Sequence, residues 1–279
     1  MKKFKANPLW LLLLMFLCLG LGLKQPLLVF AESEETKTAV FFGDSITQNF
    51  EAEGQSYPDI VGEKLGFKVI NLGFGGSSLS SHPAPQFDQF SFAVLSQAIV
   101  KQDFSKQKEA LAGEEIPAYF EEKLNKLEAI DFNEVDLVFL MYGANDWGKP
   151  IDNDDDTYDR KTYKGAGRSA IETLQKKYPH LDIVLISPIY RYWPDYDNRD
   201  SETSVNSLGL KPRNYSQAMI DLAKEYHLPY VDAYFSLGIN SLNRQYYFNE
   251  NDGTHPNDIG TKKLAQLIVK TVESYGLGE

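Results

Sequence analysis

From residue 38 onward, short apolar runs alternate with longer stretches in which apolar residues recur at helical spacing. Five runs have the length and the β-branched and aromatic content of buried strands: residues 39–42, 67–72, 135–142, 181–186 and 229–231. Helical spacing is clearest in residues 57–65, 93–100, 118–127, 163–178 and 257–273. Because strands that alternate with helices form sheets covered by helices, we expect an α/β fold with five central strands.

The first 31 residues have a different pattern. Three lysines at positions 2, 3 and 5 precede an unbroken apolar run of fifteen residues, 9–23, and the small residue Ala31 follows. This order is typical of an export signal. A stable membrane span needs roughly 20 apolar residues, and Lys24 interrupts this run. We therefore favour cleavage after Ala31 over an uncleaved anchor, and we expect a secreted or cell-surface protein.

The same patterns divide the chain into three parts. Residues 1–31 are the predicted signal peptide or membrane anchor, residues 32–37 are a polar linker, and residues 38–279 suit one α/β domain better than two. Two segments are longer than simple connections, so we expect insertions near residues 77–113 and 188–210. The first insertion is predicted to be either a lid beside a functional site or an ordinary packed helix.

Cysteine content and net charge limit the kinds of metal site, disulfide and binding partner that the chain can have. Cys18 is the only cysteine and lies in the predicted signal, so the mature chain would form neither disulfides nor thiolate metal sites. The chain has 28 basic and 39 acidic residues, and loss of residues 1–31 would leave 24 and 39, a formal charge of −15. Such an acidic body repels nucleic acid and anionic lipid unless a local basic patch intervenes, so soluble, neutral or weakly charged substrates fit better.

Candidate chemistry begins where the first strand ends. The run of residues 39–42 leads directly into Gly43, Asp44 and Ser45, residue types that end strands and begin turns or helices. Ser45 is therefore expected at the tip of a central strand, where open α/β sheets bind their ligands. A serine hydroxyl that acts as a nucleophile needs a neighbouring base and donors for the oxyanion it creates.

Two further strand ends carry suitable donors. The second strand leads into a glycine-rich turn with Gly75 and Gly76, and glycines let a backbone N–H group approach a ligand closely. The third strand leads into Gly143 and Asn145, whose side-chain amide can donate to an oxyanion without a change of charge. Either segment alone is ordinary turn chemistry, and only their position beside Ser45 favours the functional interpretation.

One of the four histidines has an acid at a suitable spacing. His255 follows Asp252 by three residues on the tight turn D-G-T-H-P, whereas the other three histidines lie in an insertion or at helix ends. The spacing lets the Asp252 carboxylate accept a hydrogen bond from Nδ1 of the ring, which leaves Nε2 to face Ser45. An isolated D-x-x-H is commoner as surface chemistry, so this assignment depends on the G-D-S segment.

These four ordered blocks resemble the SGNH or GDSL family of serine hydrolases, although the first block reads G-D-S-I here. The resemblance extends over nearly all of the chain after residue 37. It implies a three-layer α/β/α sandwich with a mostly parallel, flavodoxin-like sheet. It also implies a nucleophile at Ser45 completed by His255 and Asp252, and an oxyanion hole made by Ser45, Gly76 and Asn145. No metal or organic cofactor is expected.

An acidic loop follows Asn145. Five aspartates crowd it, at positions 152, 154, 155, 156 and 159. A calcium loop needs glycine at its sixth position and glutamate at its twelfth, but Thr157 and Tyr163 stand there. The pattern therefore favours a solvated loop near the mouth of the site over a calcium site.

Three residues are candidates for substrate binding. Tyr190 and Trp193 lie in the aromatic segment 188–196, where rings either stack on a sugar or line an acyl pocket, or pack under a long loop. Asp44 is the residue before the nucleophile, and this position favours a structural role in the turn after the first strand over a role in the reaction. Arg191 and Arg199 are the only positive charges near this segment.

The resemblance implies ester hydrolysis without fixing the substrate. Export, acidity and the aromatic segment favour O-acyl esters of carbohydrates, chiefly acetyl esters. A lysophospholipase, lipase-like or thioesterase activity is the alternative, and the lipase-like one would need an exposed apolar groove near residues 87–100. An O-acyltransferase, or a non-catalytic surface-binding module, would be the alternative from another class; the module would tolerate loss of a triad residue, and none is lost.

Overall fold

The computed structural model describes residues 36–113 and 115–278. The predicted signal of residues 1–31 and the first four residues of the predicted linker lie outside this part of the chain, so both remain predictions. Within the described part, no helix combines the length and the apolar content needed to cross a membrane.

Five parallel strands form the central sheet. The strands in chain order are β1 (Thr38–Gly43), β2 (Lys68–Gly73), β3 (Leu137–Met141), β4 (Asp182–Ile186), β5 (Tyr192–Trp193), β6 (Arg199–Asp200) and β7 (Tyr230–Val231). The central sheet has the order β2-β1-β3-β4-β7, while β5 and β6 form a separate antiparallel hairpin. From β1 the chain adds β2 on one side of the sheet and β3, β4 and β7 on the other. The carboxyl ends of β1 and β3 therefore flank the crevice in which such sheets bind ligands. The predicted parallel five-stranded sheet is confirmed.

Helices cover both faces of this sheet. In chain order they are α1 (Ser45–Gln48), α2 (Tyr57–Leu65), α3 (Pro85–Asp88), α4 (Phe92–Lys101), α5 (Ser105–Ala110), α6 (Tyr119–Glu128), α7 (Tyr163–Lys177), α8 (Pro212–Glu225), α9 (Ala233–Ser236) and α10 (Asp258–Ser274). One hydrophobic cluster joins the sheet to α4, α6, α7 and α8, and a second joins it to α2, α9 and α10. The three-layer α/β/α arrangement is therefore confirmed.

The strand β1 shows why the sheet needs both layers. Val40 and Phe42 belong to the first cluster, whereas Ala39 and Phe41 belong to the second, and all four are fully buried. Successive side chains of a strand point to opposite faces, so a continuous apolar run is stable only where both faces are covered. Phe41 stacks on Phe139 of β3, with ring centroids 4.2 Å apart.

The first predicted insertion is largely helical and packed. It contains α3, α4 and α5, and α4 packs on α7. Phe90 and Phe92 have no exposed surface. The packed-helix interpretation therefore describes residues 92–101. The shorter helix α3 brings the Phe87 ring close to the glycine-rich turn, since a Cβ atom built on Gly76 would lie 3.3 Å from that ring.

Candidate active site

Ser45 lies at the junction of β1 and α1. The carboxylate of Asp44 caps this short helix, because its Oδ1 atom accepts a hydrogen bond of 2.9 Å from the backbone N–H of Ile46. Asparagine and aspartate are favoured at this position because they satisfy backbone N–H groups that the first turn leaves free. The serine is therefore fixed at the carboxyl end of a central strand while its side chain stays partly exposed.

The imidazole of His255 contacts both Ser45 and Asp252. Its Nε2 atom lies 2.8 Å from the Ser45 Oγ atom, and its Nδ1 atom lies 2.7 Å from Oδ2 of Asp252. In this arrangement Nδ1 carries a proton donated to the carboxylate, so Nε2 is free to accept the serine proton. The structure thus brings together the three residues that the sequence predicted as a triad.

The Asp252 carboxylate is held ionised by its neighbours. Burial raises its pKa, but hydrogen bonds from the His255 ring and from the backbone N–H groups of Thr254 and His255 outweigh burial, so the pKa lies below its usual value. The two backbone bonds go to Oδ1, at 2.8 Å from Thr254 and 3.1 Å from His255. Oδ2 accepts the hydrogen bond from the His255 ring. One carboxylate oxygen therefore holds the loop and the other orients the imidazole.

Two contacts fix the histidine loop to the rest of the site. The carbonyl oxygen of Gly253 accepts a hydrogen bond of 2.9 Å from the backbone N–H of Tyr192 in β5. The carbonyl oxygen of Pro256 accepts one of 2.8 Å from Nδ2 of Asn49, directly after α1. The loop that carries His255 is therefore bound to the segment that carries Ser45, and the sequence analysis did not identify Asn49.

The predicted oxyanion donors lie on neighbouring turns. Gly76 has a φ of +83°, a conformation that side chains disfavour. Asn145 donates from Nδ2 to the Ser77 carbonyl at 2.8 Å, which orients its amide and leaves a second N–H on the same nitrogen. Among the hydrogen bonds between described residues, none uses the backbone N–H of Ser45 or of Gly76. These groups are available to a ligand.

Two side chains to which the sequence analysis gave no role in the site hold these turns in place. The buried carboxylate of Asp146 accepts hydrogen bonds from the backbone N–H groups of Leu79 and Ser80, which ties the Asn145 turn to the segment after Gly76. The Tyr119 hydroxyl accepts a bond of 2.8 Å from the Gly75 N–H. Tyr119 therefore supports the site from α6, the helix predicted over residues 118–127.

The three candidates for substrate binding have different environments. Asp44 is only 2% exposed, and burial raises its pKa to about 6 although the bond from Ile46 opposes the shift. Tyr190 is also 2% exposed, and its hydroxyl donates to Asp200 at 2.8 Å. Both side chains are therefore too buried to contact a substrate. Trp193 is partly exposed and stacks on Trp147, with ring centroids 4.9 Å apart.

A cavity of about 350 Å3 opens at this pair of tryptophans. Its lining is formed by Trp147, Trp193, Tyr196, Arg199, Ser204 and Val205. Trp147 follows Asn145, one of the candidate oxyanion donors, by two residues on the segment after β3. The sequence analysis missed Trp147, although an aromatic residue directly after the Asn-Asp pair was a signal that could have been used.

The acidic loop is held by internal pairs at its two ends. Both oxygens of Asp152 accept hydrogen bonds from the Arg168 guanidinium, at 2.7 and 2.8 Å. Asp159 accepts from the Lys161 backbone, and the three aspartates between these ends are exposed. Within residues 36–113 and 115–278, no three His, Cys, Asp or Glu side chains are placed as metal ligands.

Comparison with known proteins gives one family and several similar folds. The model of the GDSL-like lipase/acylhydrolase family matches residues 41–263. A comparison with curated proteins gave no match. A protein from Lactobacillus plantarum is similar in structure, with a TM-score of 0.62 and 23% identity over 86% of this chain and 98% of that chain. A possible lipase from Chitinophaga pinensis has a TM-score of 0.56 and 20% identity, with 86% and 99% covered. For the native aryl esterase of M. smegmatis the TM-score is 0.53 and the identity 16%, with 86% and 99% covered.

Proposed function

The chain belongs to the GDSL-like lipase/acylhydrolase family and is an ester-hydrolysing enzyme, and from this premise we propose that Ser45, His255 and Asp252 form its catalytic triad. One observation carries the proposal: a single imidazole lies within hydrogen-bonding distance of both the serine hydroxyl and the carboxylate. A serine hydroxyl in this setting loses its proton to the ring as it attacks an acyl carbon.

The reaction proceeds in two steps that use the same base. Ser45 Oγ attacks the ester carbonyl and its proton moves to Nε2 of His255, which then protonates the departing alcohol. Water next attacks the acyl-enzyme, gives its proton to Nε2 and releases the acid, and Nε2 returns a proton to Ser45. Asp252 stays ionised throughout, in keeping with its lowered pKa, and stabilises the imidazolium that forms in each step.

The negative charge of the tetrahedral intermediate is assigned to three donors. They are the backbone N–H groups of Ser45 and Gly76 and the side-chain amide of Asn145. The first two are unused by other described residues, and the third is oriented by Ser77. Each such donor contributes about 3 kcal/mol to stabilisation of the transition state.

We assign the substrate as an O-acyl ester of a carbohydrate, with acetyl as the acyl group. The partly exposed indoles of Trp147 and Trp193 support this choice, because flat aromatic surfaces suit sugar rings. The lipase-like alternative required an apolar groove near residues 87–100. That segment has no exposed large apolar side chain, and Phe90 and Phe92 are fully buried.

Export is part of the same proposal. The basic start, the apolar run of residues 9–23 and the small residue Ala31 support a signal peptide that directs the enzyme out of the cell. Expression of the full chain in a secreting host, followed by N-terminal sequencing of the protein in the medium, is expected to give Glu32 as the first residue. Retention of the uncleaved chain in the membrane fraction would show an anchor instead.

Labelling with a fluorophosphonate tests the assignment of the nucleophile. The modified peptide is expected to contain Ser45, and Ser45→Ala should abolish both labelling and hydrolysis of 4-nitrophenyl acetate while the circular dichroism spectrum is unchanged. Ser105→Ala, at the first residue of α5, is the matched control and should retain both. A parallel series with acetyl and octanoyl esters tests the acyl group, since a short pocket rejects the longer chain.

A further inference from the structure

Arg191 lies against the two tryptophans at the edge of the candidate site. Its guanidinium carbon is 4.8 Å from the ring centroid of Trp193 and 5.4 Å from that of Trp147. The backbone is fixed as well, because Ser201 Oγ accepts a hydrogen bond of 2.9 Å from the Arg191 N–H. Contact between a cation and aromatic faces restrains the planar guanidinium in one orientation.

The guanidinium has no acceptor for its N–H groups within residues 36–113 and 115–278. Arg168 differs sharply, because it pairs with Asp152 and Glu225. Arg244 likewise pairs with Asp200. An arginine carries five N–H donors, and a partly buried one is normally matched to a carboxylate. Arg191 is therefore a restrained cation whose donors are left for another molecule.

Two observations connect Arg191 to the segments that carry the reacting groups. The next residue, Tyr192, binds the carbonyl of Gly253 inside the histidine loop. Arg191 also interacts electrostatically with Asp44, the neighbour of the nucleophile. Burial lowers the pKa of Arg191 to about 10, although the charge of Asp44 opposes the shift, so the side chain is protonated at neutral pH.

The net negative charge of the protein makes a fixed cation at this position unusual. The chain has eleven more acidic than basic residues, so on average its surface repels anions. A fixed positive group beside the site reverses that repulsion at one place. Arg199, which lines the adjoining cavity, adds a second positive charge there.

We propose that Arg191 binds a carboxylate of the substrate, so that the enzyme deacylates esters of an acidic, carboxylate-bearing sugar. The planar N–H edge of the guanidinium matches the two oxygens of a carboxylate. The sugar ring then lies on the exposed indole surfaces while its acetylated hydroxyl faces Ser45. This inference rests on the proposed function and adds to it the class of sugar that is recognised.

Two isosteric substrates test the inference. Mono-O-acetyl isomers of methyl glucuronoside are compared with the same isomers in which the carboxylate is a neutral carboxamide, and acetate release is measured. The wild type is expected to have a 10- to 100-fold higher kcat/KM for the acid, since a charged hydrogen bond is worth about 1.5–3 kcal/mol. Arg191→Met should bring the ratio of the two substrates close to one, and Arg191→Lys should give an intermediate ratio.

Arg213→Met is the matched control for loss of one positive charge. Arg213 is exposed and pairs with Glu202 on the surface, so this variant should keep the wild-type ratio. Equal turnover of the two substrates by the wild type would overturn the inference and leave the hydrolase intact, as 4-nitrophenyl acetate would still be cleaved. A preference for O-acetyl glucose 6-phosphate over the glucuronoside would overturn the carboxylate assignment. If Ser45→Ala retained full activity on 4-nitrophenyl acetate, the proposed function itself would fail.

Discussion

The Nε2 atom of His255 lies 2.8 Å from the Oγ atom of Ser45, although 210 residues separate them in the sequence. One residue follows the central strand β1 and the other precedes the last helix. The hydrogen bond from Asn49 to the Pro256 carbonyl joins the same two segments a few residues away. The contact therefore depends on the packing of whole elements and on a local brace, and both can be tested by substitution.

Asp252→Asn tests the tautomer of His255. The Oδ1 atom of asparagine can still accept from the Thr254 and His255 N–H groups, so the loop should stay folded. The amide nitrogen would then face Nδ1, which would have to accept a hydrogen bond, and the ring proton would move to Nε2. Nε2 could no longer take the serine proton, and we expect kcat to fall about 10⁴-fold.

Steady-state kinetics measures kcat of the Asp252→Asn variant, and a thermal melt shows whether the variant is still folded. Asp258→Asn is the control, since Asp258 is exposed and pairs with Lys262 near the same loop. It should keep kcat within about twofold, as surface ion pairs contribute little. A fall of less than tenfold for Asp252→Asn would contradict the orienting role.

Asn145→Ala tests the oxyanion hole. Removal of the amide takes away one of three donors, and we expect kcat to fall about 10²- to 10³-fold with a smaller change in KM, because the donor acts mainly in the transition state. The loss is measured with 4-nitrophenyl acetate. Asn133→Ala removes an exposed amide that bonds Asp131, and it should have no effect on turnover. Full activity of Asn145→Ala would exclude this residue as a donor.

Much of the architecture could be predicted because the signals are local. The helix predicted over residues 57–65 agrees with α2 at both ends, since Ser56 and Asp59 form a capping box and Gly66 has the φ of +71° that ends helices. The strands β1, β3 and β4 were recognisable because strands covered on both faces read as nearly continuous apolar runs. The residues that meet at the site follow strand ends or precede a helix.

The segment of residues 188–210 could not be predicted, because distant contacts determine its structure. The strands β5 and β6 have two residues each, too few for a periodic pattern. The buried Tyr190 hydroxyl donates to Asp200, and Arg244, from a distant segment, pairs with that carboxylate. The pairing of Trp147 with Trp193 likewise joins the segment after β3 to β5, and no sequence pattern links these two segments.

Asp44→Asn tests the effect of a buried charge on stability. Because its pKa is about 6 in the folded protein and 3.8 ordinarily, the folded state binds more protons between these values, and stability falls as pH rises through that window. The full difference corresponds to roughly 3 kcal/mol. Asparagine keeps the cap on the Ile46 N–H but carries no charge. The stability of the variant relative to wild type should increase from about pH 4 to about pH 6 and then stay constant.

Urea denaturation at several pH values measures this difference. Asp103→Asn is the matched control, since Asp103 also accepts from a backbone N–H two residues on, at 3.0 Å from Ser105. Asp103 is exposed, and hydrogen bonds from Ser105 lower its pKa, so its replacement should change relative stability in the opposite direction as pH rises. A pH-independent difference for Asp44→Asn would show that the buried carboxylate is not the cause.

Gly253→Ala tests whether the histidine loop must lie against β5. Gly253 has a φ of +70°, and an added Cβ atom would overlap the Tyr192 carbonyl oxygen. The left-handed conformation alone costs alanine about 1–2 kcal/mol, and relief of the overlap requires the loop to move away from Tyr192. Because Asp252 and His255 flank this glycine, we expect kcat to fall at least tenfold, since a displacement of 1 Å can cost about 10²-fold.

Gly66→Ala separates backbone strain from displacement of the loop. Gly66 has a φ of +71° but open space around it. It precedes the amino end of β2, whereas Ser45 lies at the carboxyl end of the neighbouring strand β1. Both variants should therefore lose about 1–2 kcal/mol of stability from strain, measured by urea denaturation, while only Gly253→Ala should lose kcat. If the two variants had the same kcat, the contact between the Gly253 turn and Tyr192 would have no part in placing the imidazole.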